Sequence, residues 1–364
     1  MTLQDPPSPT EPRPVRVGLV GYGYAGRTIH VPLIRAVPGL ALSSVATSDP
    51  QRVLLDLPRV RIDYTPQELF EDPGVELVVL AVPNHLHAPM ALAALDAGKH
   101  VVVDKPFTET WDQARALTDL ARRTGRVLSV FHNRRFDADF LTVRRILASG
   151  ELGQLAAFES RFDRFRPRPT DRWRERPSIG GGVWFDLGAH LVDQAVTLFG
   201  LPDELFADIS TLREGGRVDD DFMVMLAYPR LRVLLRASCL AAAPTPRFTL
   251  QGDRAGYAKF GLDPQEDALR RGDQPGEGTW GLDGVAGVIT LGEDSPAPRA
   301  ALTERGDWRR YYEGVRDAIR GVGPNPVPPE EATAVMAILE LARESAAAGR
   351  RIAVATDRRF QLGA

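Results

Sequence analysis

The sequence predicts an α/β protein with two domains. The first is a doubly wound parallel sheet of the Rossmann type, and the second is an α+β domain with a large, open, mainly antiparallel sheet. Over residues 15–132, short apolar runs alternate with helical segments, which is typical of strands buried on both faces of a parallel sheet. Beyond residue 132, strand-like segments follow one another with few helices between them. We therefore expect an unstructured Pro-rich arm over 1–14, a dinucleotide-binding domain over 15–132, and a substrate and oligomerisation domain over 133–364.

The elements of the first domain follow from these runs and from their punctuation by Gly and Pro. The predicted strands are Val15–Val20, Leu40–Ala46, Leu77–Val82, Val101–Val103 and Val127–Val130. The predicted helices are Arg27–Ala36, Pro66–Phe70, Pro89–Ala97 and Thr110–Thr124. Pro32 lies inside the first of these helices and should kink it or mark a restart.

The second domain begins with a helix and then becomes rich in strands. The predicted helices are Ala138–Ala148, Phe185–Phe199 and Glu330–Ala348. The segment 155–165 precedes a polar loop rich in Arg and Pro. The strands that we predict after it are Glu204–Ser210, Asp221–Tyr228, Leu231–Ser238, Arg247–Gln251 and Tyr257–Phe260.

The composition excludes several classes of function. The net charge of −3 and the absence of a basic stripe argue against binding to nucleic acid. No apolar stretch is long enough to cross a membrane, and the N-terminus has no apolar core of a signal peptide. The single cysteine, Cys239, cannot form an intrachain disulfide, so we expect a reducing, cytoplasmic location.

A glycine motif follows the first predicted strand. Residues 21–26 read GYGYAG, which places Gly21, Gly23 and Gly26 in the G-x-G-x-x-G spacing, with Tyr24 and Ala25 between them. The first glycine permits a tight turn, the second allows the backbone to approach a pyrophosphate, and the third allows close packing of helix and strand. The alternatives are a turn that binds no ligand or a loop for S-adenosylmethionine.

The end of the second strand indicates which dinucleotide is bound. An acid at this position would bind the ribose 2′-hydroxyl of NAD, but Thr47 and Ser48 occupy it. Asp49 comes slightly later and could cap the next helix, and Arg52 follows one turn further on. Hydroxyl groups and a guanidinium suit a 2′-phosphate, so we predict NADP, with NAD as the alternative.

Three polar clusters follow three later strands. Pro83, Asn84 and His87 follow the strand at 77–82, and we place all three in the cofactor site. Lys105 follows Val101–Val103, and the sequence His132-Asn133-Arg134-Arg135 follows Val127–Val130. Ligands of open α/β sheets bind beyond the carboxyl ends of the strands, so these clusters should share one rim. The alternatives are a capped turn at residues 83–87 and a solvated arginine pair at 134–135.

Lys105 stands out in a chain that prefers arginine. Of the 45 Lys plus Arg residues only three are lysines, Lys99, Lys105 and Lys259. An ammonium group can exchange a proton near neutral pH when it is desolvated, whereas a guanidinium cannot. We therefore predict a catalytic role for Lys105, against the alternative of a solvated cation retained by chance.

A second candidate catalytic group follows a triple glycine. The segment 180–190 reads GGGVWFDLGAH, and its Asp186 and His190 are four residues apart. On a regular helix they share a face, which would make a carboxylate-tuned general base. The alternative is a histidine satisfied in the core. His30 and His100 are not predicted to be catalytic, and no histidine has the spacing of a metal ligand, so we predict no metal site.

Taken together, these motifs resemble those of the glucose–fructose oxidoreductase/inositol dehydrogenase (Gfo/Idh/MocA) family, over nearly the whole chain from Val15 to the final helix. The segments that carry the resemblance are GYGYAG at 21–26, PNHLH at 83–87, DKPF at 104–107 and GGGVWFDLGAH at 180–190. VLSVFHNRRFD, FDRFRPRP, DRWRE and DLGAHLVDQAVTLFG are similar to segments of its scyllo-inositol dehydrogenase branch. Asp104 replaces the glutamate that is usual in the family, a variant also found in that branch.

The resemblance implies an enzyme that transfers a hydride between a nicotinamide and a secondary hydroxyl or ketone of a cyclic polyol or sugar. It implies a catalytic set of Lys105, Asp186 and His190, with Asp186 orienting the imidazole. It also implies that Asp104 and Asn84 lie at the cofactor, that Asn133, Arg134, Trp173 and Arg174 border the substrate, and that the open sheet forms a homodimer or homotetramer. The rival readings are a dinucleotide-sensing regulator of the same fold and a methyltransferase.

Overall fold

The computed structural model describes residues 13–171, 175–292 and 297–361. They form two sheets with helices packed against them, and this confirms the predicted fold class. The first sheet is purely parallel, and the second is mixed and mostly antiparallel. Within these ranges no helix combines the length and the apolar character needed to cross a membrane.

The first sheet has the doubly wound order β3-β2-β1-β4-β5-β6. Its strands in chain order are β1 (Val15–Val20), β2 (Leu40–Ala46), β3 (Arg61–Asp63), β4 (Leu77–Leu80), β5 (His100–Val103) and β6 (Leu128–Val130). The strand order reverses between β1 and β4, so a crevice opens there beyond the carboxyl ends of the strands. Every residue of β4 is buried, as expected for a strand covered by helices on both faces.

Helices cover both faces of this sheet. They are α1 (Val31–Ala36), α2 (Pro50–Asp56), α3 (Pro66–Glu71), α4 (His87–Asp96) and α5 (Trp111–Thr124). Local signals define α5 closely. Thr110 and Gln113 form a reciprocal capping box at its start, and Gly125 ends it in the left-handed conformation at φ 64°.

The predicted helix over residues 27–36 is divided into two parts. Ala25–His30 forms a wide turn of π-helix, and α1 begins only at Val31, with Pro32 in its first turn. Proline is tolerated there because its missing N–H has no partner within the helix. Pro32 therefore marks the restart that was one of its two predicted effects.

The second sheet has nine strands in the order β14-β13-β12-β11-β7-β10-β9-β8-β15. They are β7 (Leu155–Arg161), β8 (Glu204–Ser210), β9 (Asp221–Ala227), β10 (Arg232–Ser238), β11 (Pro246–Gly252), β12 (Ala255–Phe260), β13 (Val288–Leu291), β14 (Arg299–Ala300) and β15 (Ile352–Ala353). All neighbours are antiparallel except β7 and β10, which run parallel at the centre. Beyond β7, residues 162–166 stay extended, and Phe165 forms an isolated bridge with Leu240.

The helices of the second half are α6 (Ala138–Ser149), α7 (Ala189–Phe199), α8 (Gln265–Arg271), α9 (Arg309–Ile319), α10 (Pro329–Ala348) and α11 (Arg358–Gln361). The long helix α10 packs against α5 on one side and against β8 and α7 on the other. Both halves of the chain thus share one continuous core.

Several elements were not among the predicted ranges, namely α2, α8, α9, α11, β3, β13, β14 and β15. Most are short, and they depend on distant contacts. Asp137 accepts a hydrogen bond from the indole nitrogen of Trp308 at 2.7 Å, immediately before α9, and Gln265 of α8 accepts one from the Trp308 backbone at 2.7 Å. Because both contacts join residues far apart in the chain, local sequence patterns do not reveal them.

Candidate active site

The glycine turn after β1 has the shape that a dinucleotide pyrophosphate requires. Gly21 has φ +94°, and a Cβ atom there would lie 2.3 Å from the Ala81 carbonyl oxygen. A Cβ on Gly26 would lie 2.2 Å from the Gly21 oxygen, whereas one on Gly23 would meet nothing within 4 Å. The outer glycines therefore allow close packing, and the middle one leaves open space in front of the backbone. This is the arrangement in which a phosphate group can approach the N–H groups.

The end of β2 presents hydroxyl and guanidinium groups, as predicted. Ser48 and Arg52 are exposed, and the Thr47 hydroxyl accepts a hydrogen bond from the Asp49 N–H at 3.0 Å. The Asp49 carboxylate accepts from the Arg52 N–H at 3.2 Å and so caps α2. The carboxylate nearest the predicted ribose position is therefore used for capping.

A further guanidinium near this strand end was missed. Arg27 forms two hydrogen bonds with Asp56, at 2.6 and 3.0 Å, and Tyr22 donates to the same carboxylate at 3.1 Å. The hydrogen bond from Arg27 is the largest cause that lowers the pKa of Asp56, and the charge of Arg52 adds to it. Asp56 thus stays ionised and balances the two arginines.

The segment after β4 places two of its predicted residues in structural roles. The Asn84 amide donates to the Gly180 carbonyl at 3.1 Å and ties β4 to the glycine-rich segment of the second domain. His87 is buried, and its ring nitrogens lie 2.8 Å from the Pro106 carbonyl oxygen and 2.9 Å from that of Val82. Both nitrogens face backbone carbonyls, which favours a structural role for His87, and its place in the cofactor site stays a prediction. Pro83 precedes Asn84 at the same strand end.

Lys105 lies at the carboxyl end of β5 and is held in a defined position. Its ammonium donates to the carboxylate and to the backbone oxygen of Asp186, each at 2.8 Å. Its backbone N–H donates to Asp104 at 2.8 Å. Burial by itself raises the pKa of Asp104, but the nearby His30 and Lys105 outweigh burial and lower it to about 2.

Asp186 contacts Lys105 instead of the histidine that follows it. Residues Trp184–Gly188 form a turn of π-helix before α7, so Asp186 and His190 are not related as i and i+4 on a regular helix. The Asp186 carboxylate also lies 3.5 Å from Arg164. The predicted orienting contact between Asp186 and His190 is therefore absent, because the wide turn rotates the carboxylate toward Lys105.

His190 is a buried imidazole that makes no hydrogen bond with any residue that the structure describes. Its Nδ1 atom is buried without a partner, which leaves Nε2 as the ring nitrogen available to the cavity. Burial, followed by the positive charges of Lys105 and Arg134, lowers the pKa of His190 well below its ordinary value. The imidazole is therefore neutral at pH 7 and can accept a proton.

His132 packs against His190, and this contact was not predicted from the sequence. The two rings lie edge to face with their centroids 6.5 Å apart, and Nε2 of His132 is 3.9 Å from the Asp193 carboxylate. Burial lowers the pKa of His132 to about 4, against the opposing effect of Asp193. His132 is therefore a second neutral imidazole beside the candidate base.

Lys105, Asp186 and His190 line a cavity of about 720 Å³ between the two domains. The predicted site residues that line it are Tyr24, Ala25, Asp104, Lys105, Asn133, Arg134, Asp186 and His190. The predicted residues that do not line it are Gly21, Gly23, Gly26, Thr47, Ser48, Arg52, Pro83, Asn84 and His87. Trp173 and Arg174 lie outside the described residues.

The second domain closes this cavity through an ionic cluster that sequence reasoning also missed. The Tyr24 hydroxyl donates to Glu266 at 3.0 Å and accepts from Arg270 at 2.7 Å, both on α8. Glu266 in turn accepts from Arg134 at 3.0 Å, and Arg134 is also held by Asp137 at 3.1 Å. The charged residues of α8 have no local sequence pattern that distinguishes them from a solvated helix surface, because their role depends on contacts across the two domains.

The doubly wound sheet, its glycine turn, the lysine beyond a strand end and the histidine of α7 in the same cavity define a nicotinamide-dependent oxidoreductase. The chain belongs to the Gfo/Idh/MocA oxidoreductase family. Residues 15–132 match the family's NAD-binding Rossmann fold, and residues 144–354 match its C-terminal alpha/beta domain. Among the described residues, no cluster of three or more His, Cys, Asp or Glu side chains is suited to hold a metal ion.

Relatives of similar length support this assignment. The chain is 50% identical to the oxidoreductase YdgJ of Escherichia coli over 91% of this chain and 96% of that protein. It is 34% identical to the scyllo-inositol 2-dehydrogenase (NADP⁺) IolW of Bacillus subtilis, over 93% and 95%. Its fold matches the solved structure of the oxidoreductase YPO2259 of Yersinia pestis with a TM-score of 0.91 at 47% identity, over 95% of this chain and 99% of that chain.

Proposed function

We propose that this protein is an NADP-dependent dehydrogenase that acts on a secondary hydroxyl group, or the corresponding ketone, of a cyclic polyol or sugar. The observation that carries the proposal is the convergence of Lys105 and His190 on one cavity beside the glycine turn. The charge of Lys105 is also one cause of the lowered pKa of His190. The similarity to a scyllo-inositol 2-dehydrogenase supports the substrate class.

The cofactor fits the residues of the first domain. A bound nicotinamide would supply the acceptor or donor of the hydride. The turn over residues 21–26 would hold its pyrophosphate, since Gly23 leaves the backbone open. Ser48 and Arg52 would hold a 2′-phosphate, because both are exposed and the carboxylate of Asp49 is turned into the cap of α2. This favours NADP over NAD.

His190 acts as the general base in the direction of oxidation. Its neutral imidazole removes the hydroxyl proton at Nε2 as the hydride leaves the carbon, and it returns the proton during reduction. Its low pKa keeps the ring ready to accept a proton at neutral pH. Each proton-transfer role of this kind contributes about 10²–10⁴-fold to the rate.

Lys105 stabilises the negative charge that develops on the substrate oxygen. Asp186 holds the ammonium through two acceptors, its carboxylate and its backbone oxygen, and therefore positions Lys105. This replaces the role of orienting His190 that the sequence predicted for Asp186. Fixed charges of this kind act strongly because they need no reorganisation during the reaction.

The experiment is a panel of inositols, inososes and aldoses assayed with NADP and with NAD, read by the absorbance of the reduced nicotinamide. The matched variants are Lys105→Met, which removes the charge, and Lys105→Arg, which keeps the charge but cannot exchange a proton. We expect kcat to fall by about 10²–10⁴-fold in Lys105→Met while NADP affinity is retained. Near-normal turnover in Lys105→Met would refute the role of Lys105. Dinucleotide binding without turnover on any substrate would indicate a sensing protein.

A further inference from the structure

Two arginines beyond β7 face the cavity and have no role in the function proposed above. Residues 162–166 continue in extended conformation. Arg164 donates its N–H to Ser238 at 2.8 Å, and Arg166 donates its N–H to Cys239 at 2.7 Å. In an extended segment, residues two apart point to the same side, so Arg164 and Arg166 both line the cavity, while Phe165 between them is 58% exposed.

Most of the cations that line the cavity already have a carboxylate partner. Lys105 forms an ion pair with Asp186 at 2.8 Å, and Arg213 forms one with Asp220 at 2.9 Å. Arg134 and Arg270 pair in the same way with Glu266. These four charges are therefore balanced within the protein.

Arg164 and Arg166 differ from this group. Among the residues that the structure describes, Arg164 has one ion pair within 4 Å, with Asp186 at 3.5 Å, and Asp186 already accepts the stronger hydrogen bond from Lys105 at 2.8 Å, while Glu266 acts on Arg164 at longer range. The side chain of Arg166 has no ion pair with any residue that the structure describes. Two guanidinium groups thus line the cavity, and the one carboxylate within ion-pair distance of either, among the described residues, is that of Asp186, which Lys105 shares.

Arg166 is exposed to solvent, whereas Arg164 is largely removed from it. The side chain of Arg164 is only 29% exposed, and burial, followed by the charge of Arg166 among other causes, lowers its pKa. Removing a charge from water without a matching partner costs free energy, and an anion placed between the two guanidinium groups would recover it. The planar fork of arginine matches the oxygens of a carboxylate or of a phosphate ester in a bidentate manner.

We propose that Arg164 and Arg166 form an anion subsite, and that the substrate is a polyol or sugar that carries a carboxylate or a phosphate ester. Arg164 and Lys105 contact the two oxygens of one carboxylate, that of Asp186, so one sugar-sized molecule can touch both cations. The reacting hydroxyl therefore lies at Lys105 and the acidic substituent at Arg164. This inference rests on the proposed function and narrows its substrate class from neutral polyols to acidic ones.

The experiment measures binding to the wild-type protein saturated with NADP⁺, by calorimetric titration with matched ligands. The ligands are glucose, glucuronate and glucose 6-phosphate, together with galactose and galacturonate, and myo-inositol and an inositol monophosphate. We expect the acidic member of at least one set to bind 10-fold or more tightly than its neutral partner, since hydrogen bonds to charged groups contribute roughly 1.5–3 kcal/mol. Comparing the affinities of glucuronate and glucose 6-phosphate shows whether the subsite prefers a carboxylate or a phosphate ester.

The variants are Arg164→Gln and Arg164→Gln/Arg166→Gln. We expect the advantage of the acidic ligand to fall roughly 10- to 100-fold in Arg164→Gln, while the binding of the neutral partner and of NADP⁺ is unchanged. The matched control is Arg168→Gln, an exposed arginine of the same segment that does not line the cavity, which should leave every affinity unaltered.

Three results would overturn the subsite. The first is that no set prefers its acidic member. The second is that Arg164→Gln weakens the binding of the acidic and neutral ligands equally. The third is that it weakens only the binding of NADP⁺, which would assign the arginines to the cofactor phosphates. Because binding is measured directly, these results are separate from a failure of the proposed function, which would appear as a lack of turnover on every ligand that binds.

Discussion

The two sides of the cavity are built in different ways. On the side of the first domain, a backbone turn and a strand end form it, as Ala25 of the glycine turn and Lys105 show. On the side of the second domain, long side chains from separate segments form it, among them Arg164 and Glu266. A phosphate-binding turn tolerates few changes because a Cβ would collide with backbone. Long side chains can be exchanged without altering the fold, so substrate specificity can change while cofactor binding is kept.

Two buried histidines, His87 in the first domain and His190 in the second, show a similar contrast between a structural and a functional side chain. Both ring nitrogens of His87, in the first domain, lie against backbone carbonyls. His190, in the second, makes no hydrogen bond within the described part of the chain and faces the cavity. Both rings are buried and both pKa values are lowered by burial. His190 therefore differs from His87 in its unmade hydrogen bonds and in its access to the cavity, and not in its burial.

The largest predicted effect tests this pair of histidines directly. His190→Ala should lower kcat by about 10²–10⁴-fold, because the proton acceptor is lost, with little change in Tm. His87→Ala should lower the unfolding free energy by about 1–3 kcal/mol, because a buried carbonyl loses its donor. Steady-state kinetics and thermal unfolding of both variants provide the measurement. If His87→Ala abolished turnover at unchanged stability and NADP affinity, the division of roles would be wrong.

The next effect concerns the pH dependence of stability. The folded pKa of His132 is about 4, below the ordinary value of 6.5, so the unfolded chain binds the proton more readily. Its contribution is complete above pH 6.5 and is lost as the pH falls toward 4, by about 2 kcal/mol between pH 7 and pH 5.

Denaturant unfolding of wild type and His132→Asn at these two pH values measures this contribution. The variant should show a smaller loss of stability. His100, whose pKa burial also lowers to about 4, is the counterpart in the first domain, and His100→Gln should show a similar reduction. An unchanged pH dependence in both variants would contradict the assignment of neutral, buried imidazoles.

A smaller effect is predicted at the cofactor. Arg52→Ala should weaken NADP binding roughly 10- to 100-fold and leave NAD binding nearly unchanged, because only NADP carries the 2′-phosphate. Fluorescence titration with both dinucleotides measures this. Arg59→Ala, an exposed arginine a short distance along the chain, is the control. A wild-type protein that preferred NAD would contradict our interpretation of Ser48 and Arg52.

The smallest effect should come from the contact between the domains. Tyr24→Phe removes one hydroxyl that donates to Glu266 and accepts from Arg270. Since Tyr24 is half exposed, the loss should be about 1 kcal/mol or less, seen as a modest rise in the KM values for cofactor and substrate. Tyr64→Phe, at an exposed position without a hydroxyl contact among the described residues, should have no effect. A kcat loss as large as that of His190→Ala would give Tyr24 a catalytic role.

Local signals allowed much of the fold to be predicted. The capping box of Thr110 and Gln113 and the left-handed Gly125 bound α5 within one residue of its predicted range. The strand Glu204–Ser210 has the predicted limits. In contrast, α9 was missed because it begins beside Trp308, which is anchored by Asp137 from a distant part of the chain. Prediction succeeded where a few neighbouring residues decide the conformation and failed where a distant partner does.

The sequence by itself determined the doubly wound sheet, the glycine turn and the position of Lys105 at a strand end, because each depends on short-range sterics and on the periodicity of apolar residues. Only the tertiary structure decided which carboxylate meets which base. The wide turn at Trp184–Gly188 directs Asp186 to Lys105 and leaves His190 without a hydrogen bond among the described residues. Charge pairing depends on distances between segments far apart in the chain, and those distances are set by packing.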